Sequence, residues 1–253
     1  AKQEERNGYQ IHRFFWGRYF FGLFGFFSIL RLVRRADIVH TSTIVSGMYG
    51  WLFARLTENK VVLTVHEVFE RDWFRYFGWK GLLGYTLEFV LLRLWFDSLI
   101  GVSQFTTNRI PQKNQTTTIY NGVAELPNPS SSEIMTLREQ YFSGFSHVFL
   151  YFGRTGRTKG YSFLLRTLLD WLPHHPEAAC VFLLPEREAQ RISWEVPQII
   201  AYPHVSSEDL PTWIASVDTV IVPSETEGFG FSAAMTCSLW QRILSSDAGA
   251  LPE

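Results

Sequence analysis

His147-Val-Phe-Leu-Tyr-Phe-Gly-Arg-Thr-Gly-Arg-Thr-Lys-Gly-Tyr161 is the stretch that decides the fold. His147 to Phe152 is a short apolar run of β-branched and aromatic residues and reads as a strand. Gly153, Gly156 and Gly160 break it into a turn, and from Tyr161 to Leu172 the apolar residues recur at helical spacing. Strand, glycine-containing turn and helix in that order are the first half of a βαβ unit, which implies a parallel sheet. The order also carries chemistry. Free backbone N–H groups and the positive end of the helix face whatever occupies the turn, and Arg154 and Lys159 add two side-chain cations, so a diphosphate is the natural guest. The spacing matches neither GxxxxGK[ST] nor GxGxxG. Taken alone, the turn reads equally as a solvated basic loop.

The same rhythm extends in both directions. Downstream lie a strand from Ala179 to Leu184, a run from Gln198 to Ala201, a helix from Glu208 to Ser216 and a strand from Thr219 to Val222. A second loop follows that strand: Pro223-Ser-Glu-Thr-Glu-Gly-Phe-Gly-Phe-Ser232, leading into a helix from Ala233. Its glycines allow close backbone approach to a ligand, and Glu227 can accept hydrogen bonds from sugar hydroxyls. Upstream, strands at Asp37–His40, Lys60–Val65, Ser98–Val102 and Thr117–Tyr120 alternate with helical patterns at Ser46–Leu56 and Leu82–Trp95, with a polar helix start at Ser103. Glu125–Glu133 is polar, contains proline and lacks periodicity, so it reads as a linker between domains at 1–124 and 134–253. The expected fold is α/β: two Rossmann-like domains with parallel sheets, the ligand lying outside the carboxyl ends of the strands.

Composition narrows the function. At 253 residues with 46% hydrophobic content the chain can form true cores, and a formal net charge of -1 lacks the basic field that nucleic acid requires. Cys180 and Cys237 stand far apart without CxxC spacing, which argues against a disulfide scaffold or zinc site, fits a reducing compartment and suggests two small buried apolar residues. The unusual figure is an aromatic content of 16%, with 22 Phe and 9 Trp, concentrated near the N-terminus. Phe14 to Val33 is rich in Phe, Leu and Gly, but Arg18 and Arg31 interrupt it and Arg34 and Arg35 follow. A membrane span rarely accepts such arginines, whereas an interfacial helix accepts them well. Residues 14–35 therefore read either as a peripheral membrane contact or as a helix packed against another domain or subunit. Ala1 to His12, polar and mixed in charge, does not read as a cleavable signal.

ValProSer-x-x-GluGlyPheGly, followed after a helix by Ser246-Asp-Ala-Gly-Ala-Leu-Pro-Glu253, resembles the group 1 glycosyltransferases, family 4 of the retaining GT-B enzymes. Phe152 to Gly160 is similar to that family's phosphate-binding Gly-Arg…Lys-Gly segment. Further segments agree in order: Ala36-Asp-Ile-Val-His40, Thr64-Val-His66, Val102-Ser103, Tyr120-Asn-Gly-Val123 and Ser206 to Leu210. The resemblance covers about residues 36 to 253. It implies transfer of a sugar from a UDP-, GDP- or ADP-sugar, the donor being a substrate, with no cofactor or metal required. It implies that Arg154 and Lys159 neutralise the leaving diphosphate, that Glu227 and His66 lie near the donor sugar, and that Gly153, Gly228, Phe229 and Gly230 line the donor site. His204 and Val205 fall where the family's nucleobase loop lies. The acceptor would be a glycan or lipid-linked molecule of polysaccharide biosynthesis, and the location cytoplasmic, at the inner face of the membrane if residues 14–35 touch lipid.

The chain also departs from that pattern. Without gaps, Met235 stands where the family has the glutamate that binds the donor ribose, and a thioether cannot hold a diol. Trp240 stands where the family has a small glycine, so the indole is expected to crowd the turn or to cover an absent neighbour. The family's opening strand and glycine-rich loop have no counterpart, and the chain stops where further units would follow, so both domains are expected to be incomplete. Self-association, completion by a partner chain and a non-catalytic binding or regulatory role are the corresponding alternatives.

Overall fold

A computed structural model describes residues 2–14, 17–112, 115–189, 196–203 and 205–253. His204 lies outside them. The chain divides into two compact units, residues 1–120 and 121–253.

The first unit opens with an antiparallel hairpin, β1 (Lys2–Arg6) and β2 (Tyr9–Arg13). Asn7 (φ 51) and Gly8 (φ 80) turn it, because a tight hairpin of right-handed twist needs two residues at positive φ. Its sheet is β3 (Ile38–Thr41), β4 (Lys60–Val65), β5 (Ser98–Gly101) and β6 (Thr116–Thr118), all parallel and in chain order. Successive right-handed crossovers in one direction place the connecting helices Ile44–Thr57, Gly81–Leu91 and Gln104–Arg109 on one face. Alternation along β4 shows it: Val61, Leu63 and Val65 are buried with Ala54, Leu91 and Phe96, while Val62 and Thr64 are half-buried. Ser103 caps the third helix by accepting from Thr106 N–H at 3.0 Å.

The aromatic N-terminal segment forms two short helices, Gly17–Phe24 and Phe26–Val33, broken at Gly25. One side is packed: Phe26 meets Phe53 at 5.2 Å, Phe21 meets Tyr49 at 5.1 Å, and the Tyr49 hydroxyl donates to the Tyr19 carbonyl at 2.9 Å. The other side leaves Tyr19, Phe20, Leu23, Phe24 and Phe27 exposed. The packed side meets the helix Ile44–Thr57 of the same unit. Among the described residues no helix is long and apolar enough to cross a membrane.

In the second unit β7 (His147–Phe152), β8 (Ala178–Leu184), β9 (Ile199–Pro203), β10 (Thr219–Val222) and β11 (Ile243–Ser245) run parallel in the order β11-β10-β7-β8-β9. Every residue of β8 is buried, Cys180 and Phe182 in one core and Val181 and Leu183 in another, as a central strand of a doubly covered sheet requires. The stretch read as linker ends in a helix start. Ser130 accepts from Glu133 N–H at 3.3 Å and Glu133 reaches back to Ser130 N–H at 2.7 Å, a capping box that opens the helix Ser131–Phe142.

Two expectations need correction. Cys180 is buried, its thiol pushed up by desolvation, but Cys237 is exposed, because it faces outward from the helix Phe231–Ser238. Trp240 does not crowd the turn: its backbone is left-handed at φ 56 and the residue is 95% exposed. A left-handed conformation costs a residue with a Cβ roughly 1–2 kcal/mol. Trp240→Gly is therefore expected to raise the unfolding free energy by about 1 kcal/mol in urea titration. A decrease would mean that the indole contributes packing on this surface.

Candidate functional site

The chain direction reverses between β7 and β10: successive strands run outward from β7 to β9, then start again on its other side. Helices on opposite faces diverge there and leave a crevice at the carboxyl ends of the two strands, the position at which open α/β sheets bind ligands. The loops singled out from the sequence leave the sheet at that crevice, since β7 and β10 are hydrogen-bonded neighbours with Thr219 opposite Phe149.

The two loops are built as one body. Gly160, at φ 66, lets the first pass against the second, and a Cβ there would run into the Pro223 carbonyl. The Thr158 carbonyl accepts from Glu225 N–H at 2.8 Å. Across the junction the Lys159 ammonium donates to Glu227 Oε1 at 2.7 Å, and Ser224 Oγ donates to the same oxygen at 2.9 Å. The Lys159 and Glu227 side chains are 23% and 11% exposed, so the pair is partly screened from water. A third segment closes the base: Ala250 N–H donates to the Glu227 carbonyl at 2.9 Å, Ser246 Oγ donates to the Ser224 carbonyl at 2.6 Å, and Gly249, at φ 65, passes where any Cβ would strike the Glu227 backbone.

Gly153, Arg154, Lys159, Glu227, Gly228, Phe229 and Gly230 are thus gathered on neighbouring loops. Arg154 is exposed, and its carbonyl accepts from the Tyr151 hydroxyl at 2.7 Å. Burial, with Tyr161, Glu188 and Glu227 nearby, pushes the Tyr151 phenol well above its usual range and keeps it a donor. Phe229 stacks edge-on against Phe231 at 5.0 Å, and Gly230, at φ 87, starts the helix Phe231–Ser238 that carries the half-buried Met235. Val205 is half-buried against the core that holds Trp213 and Val222. Glu188, which the sequence did not single out, accepts from Thr155 Oγ1 at 2.5 Å and so steadies the basic loop.

His66 belongs to the first unit, where it is exposed on the loop after β4 and partial desolvation holds its imidazole below the usual value. The loop itself is anchored by a residue with no signal in the sequence. Glu88, 4% exposed, accepts from Phe69 N–H at 3.1 Å, Glu70 N–H at 2.8 Å and the Trp73 indole at 3.1 Å. Desolvation raises its pKa against the pull of those three donors. A carboxyl whose folded pKa is raised binds its proton more tightly in the native state. Its contribution to stability is therefore complete below the unfolded value and declines as pH rises through the folded one. Glu88→Gln is expected to remove that decline from urea-unfolding free energies collected upward from about pH 4. An unchanged slope would mean another group titrates there.

Among the described residues no group of three metal-ligating side chains occurs. The two parallel α/β units are the architecture of the GT-B fold. Residues 1–125 match the family described as Glycosyltransferase Family 4. Among solved structures, sucrose-phosphate synthase from Thermosynechococcus elongatus is 18% identical with a TM-score of 0.79, over 98% of this chain and 68% of its own. Anabaena HepE, in complex with UDP-glucose, is 19% identical with a TM-score of 0.73, over 88% of this chain. The chain spans 63% of the length of that protein. A trehalose-phosphate synthase from Burkholderia xenovorans, in complex with glucose-6-phosphate, is 13% identical with a TM-score of 0.65, over 99% of this chain and 75% of its own. At these identities the likeness is one of fold. No curated protein matches the sequence.

Proposed function

We propose that the protein moves a sugar from a nucleotide-diphosphate sugar to an acceptor with retention at the anomeric carbon. The observation that carries this is the meeting of Lys159 and Glu227 at 2.7 Å from two loops on either side of the switch crevice. The pair couples a group suited to phosphate with one suited to hydroxyls. The donor diphosphate lies along Gly153–Gly160, where Arg154 and Lys159 take up the charge that develops as the anomeric C–O bond breaks. Glu227 accepts from the donor sugar's hydroxyls, and the Gly228–Gly230 backbone lies close to the ring. The acceptor oxygen bonds to the anomeric carbon on the face the diphosphate leaves, and its proton passes to the departing phosphate oxygen. By the family resemblance, His66 is assigned to the donor sugar and His204 and Val205 to the nucleobase.

A glycan or lipid-linked acceptor, a place in polysaccharide biosynthesis and a position at the inner face of the membrane are the finer parts of the proposal. The exposed row Tyr19, Phe20, Leu23, Phe24 and Phe27 supports membrane contact. A nucleotide that binds only the native state must raise its stability, so thermal unfolding with UDP, GDP and ADP tests the reading and names the base. A shift with one of them is expected, and no shift with any would overturn it.

Met235 favours a second reading, a non-catalytic binding or regulatory subunit, because its thioether offers no acceptor for a ribose diol. It sits half-buried on the helix that begins at Gly230. Met235→Glu adds a charged acceptor and is expected to tighten donor binding roughly tenfold by calorimetry. No gain would show that this helix position does not face the ribose.

A further inference from the structure

A cleft of about 620 Å³ lies between the N-terminal hairpin and the helix Phe26–Val33, lined by Gln3, Gln10, His12, Arg31 and Arg35 with Phe14 and Phe27 beside them. The volume is ample for a small ligand. Its charge is one-sided, and the hairpin register explains why. Cross-strand partners point to the same face, and Gln3 pairs with His12 and Glu5 with Gln10. The neutral amides and the imidazole therefore face the helix. Glu4 and Arg13 project from the opposite face, where they neutralise one another at 2.7 Å. Glu5 shares the inner face, but it is not part of the cleft lining. Arg31 and Arg35, one turn apart on the helix and just beyond it, are exposed and have no ion-pair partner among the described residues. Two guanidinium groups with amide donors around them suit a phosphate, whose oxygens match their fork geometry. The rim of the cleft is apolar: Phe27 is 83% exposed, and Phe24, Leu23 and Phe20 continue the row along the preceding helix.

We propose that this cleft binds the phosphate of an anionic lipid headgroup while Phe20, Leu23, Phe24 and Phe27 enter the acyl boundary. The inference rests on the membrane contact proposed above and gives it a chemical specificity. Aromatic bulk at headgroup depth supplies affinity for any bilayer, and paired arginines add preference for an anionic one.

The test is sedimentation of the full chain with vesicles of phosphatidylcholine, alone or containing phosphatidylglycerol. The parent chain is expected to bind the anionic vesicles more tightly. Arg31→Gln with Arg35→Gln should weaken that binding roughly 30-fold at low salt and leave binding to the neutral vesicles unchanged. Phe24→Ser with Phe27→Ser should weaken binding to both. These four residues are exposed, and circular dichroism of each variant confirms folding. Equal binding of the arginine variant and the parent to anionic vesicles would overturn the phosphate site while leaving membrane contact standing. Failure of the parent to bind either vesicle would overturn both. Inorganic phosphate that stabilises the parent but not the arginine variant, without vesicle binding, would replace the lipid by a soluble phosphate as the occupant.

Discussion

Lys159→Ala is expected to lower kcat by two to three orders of magnitude with the cognate donor. The ammonium is the cation that the fold itself holds in the crevice, through its contact with Glu227 at 2.7 Å. Removing one preorganised donor from developing charge typically costs that much. The substitution also touches stability, because Glu227 loses a partner while staying mostly buried. Breaking a fully buried pair costs roughly 3–5 kcal/mol. Here Lys159 is partly exposed and Ser224 Oγ still donates to the carboxylate, so a loss nearer 1–2 kcal/mol is expected. The two effects separate in the double variant Lys159→Ala with Glu227→Gln. A neutral amide no longer strands a charge, so thermal stability should recover while turnover stays lost. Turnover within threefold of the parent in Lys159→Ala, at a donor concentration that saturates, would remove Lys159 from the mechanism.

The strand, glycine turn and helix at His147–Tyr161 are local, each written in composition and spacing, and the repeat of that pattern at Thr219–Ser232 is equally local. The sheet order is not. Nothing in the spacing of β7 and β10, with β8 and β9 between them in the chain, announces that the two strands are neighbours. The contact of Lys159 with Glu227 depends on it. Glu88 and Glu188 were illegible for a related reason. Each is a single carboxylate on a helix, indistinguishable from a solvated surface residue until the fold brings N–H donors or a threonine hydroxyl to it. Trp240 failed in the opposite sense. The family pattern has glycine at this position, and the reason lies in the left-handed backbone angle, which a residue's size does not display. The two compact units meet at Tyr120, upstream of the proline-containing stretch.

The glycine that joins the two loops yields the largest expected structural effect. In Gly160→Ala the new methyl group faces two obstacles at once. The left-handed backbone, φ 66, costs any residue with a Cβ roughly 1–2 kcal/mol. The Pro223 carbonyl occupies the place the Cβ would take, and this obstacle is backbone, which cannot rotate aside as a long side chain can. Relief requires the loops to part, and parting them lengthens the Thr158–Glu225 hydrogen bond and draws Lys159 from Glu227. A total loss of about 3 kcal/mol follows, equivalent to a fall of roughly 10 °C in Tm for a unit of this size. Nucleotide binding should vanish even at temperatures where the variant is folded, because the site consists of the junction that has opened. The control is Gly156→Ala, in the same loop but with φ in the ordinary range and only the Thr158 hydroxyl near its Cβ, at 3.9 Å. That variant is expected to keep its Tm within a degree or two and to bind nucleotide as the parent does. If both alanines behave alike, the close approach at Pro223 does not hold the loops together, and the coupling of the phosphate loop to Glu227 must come from the ion pair alone.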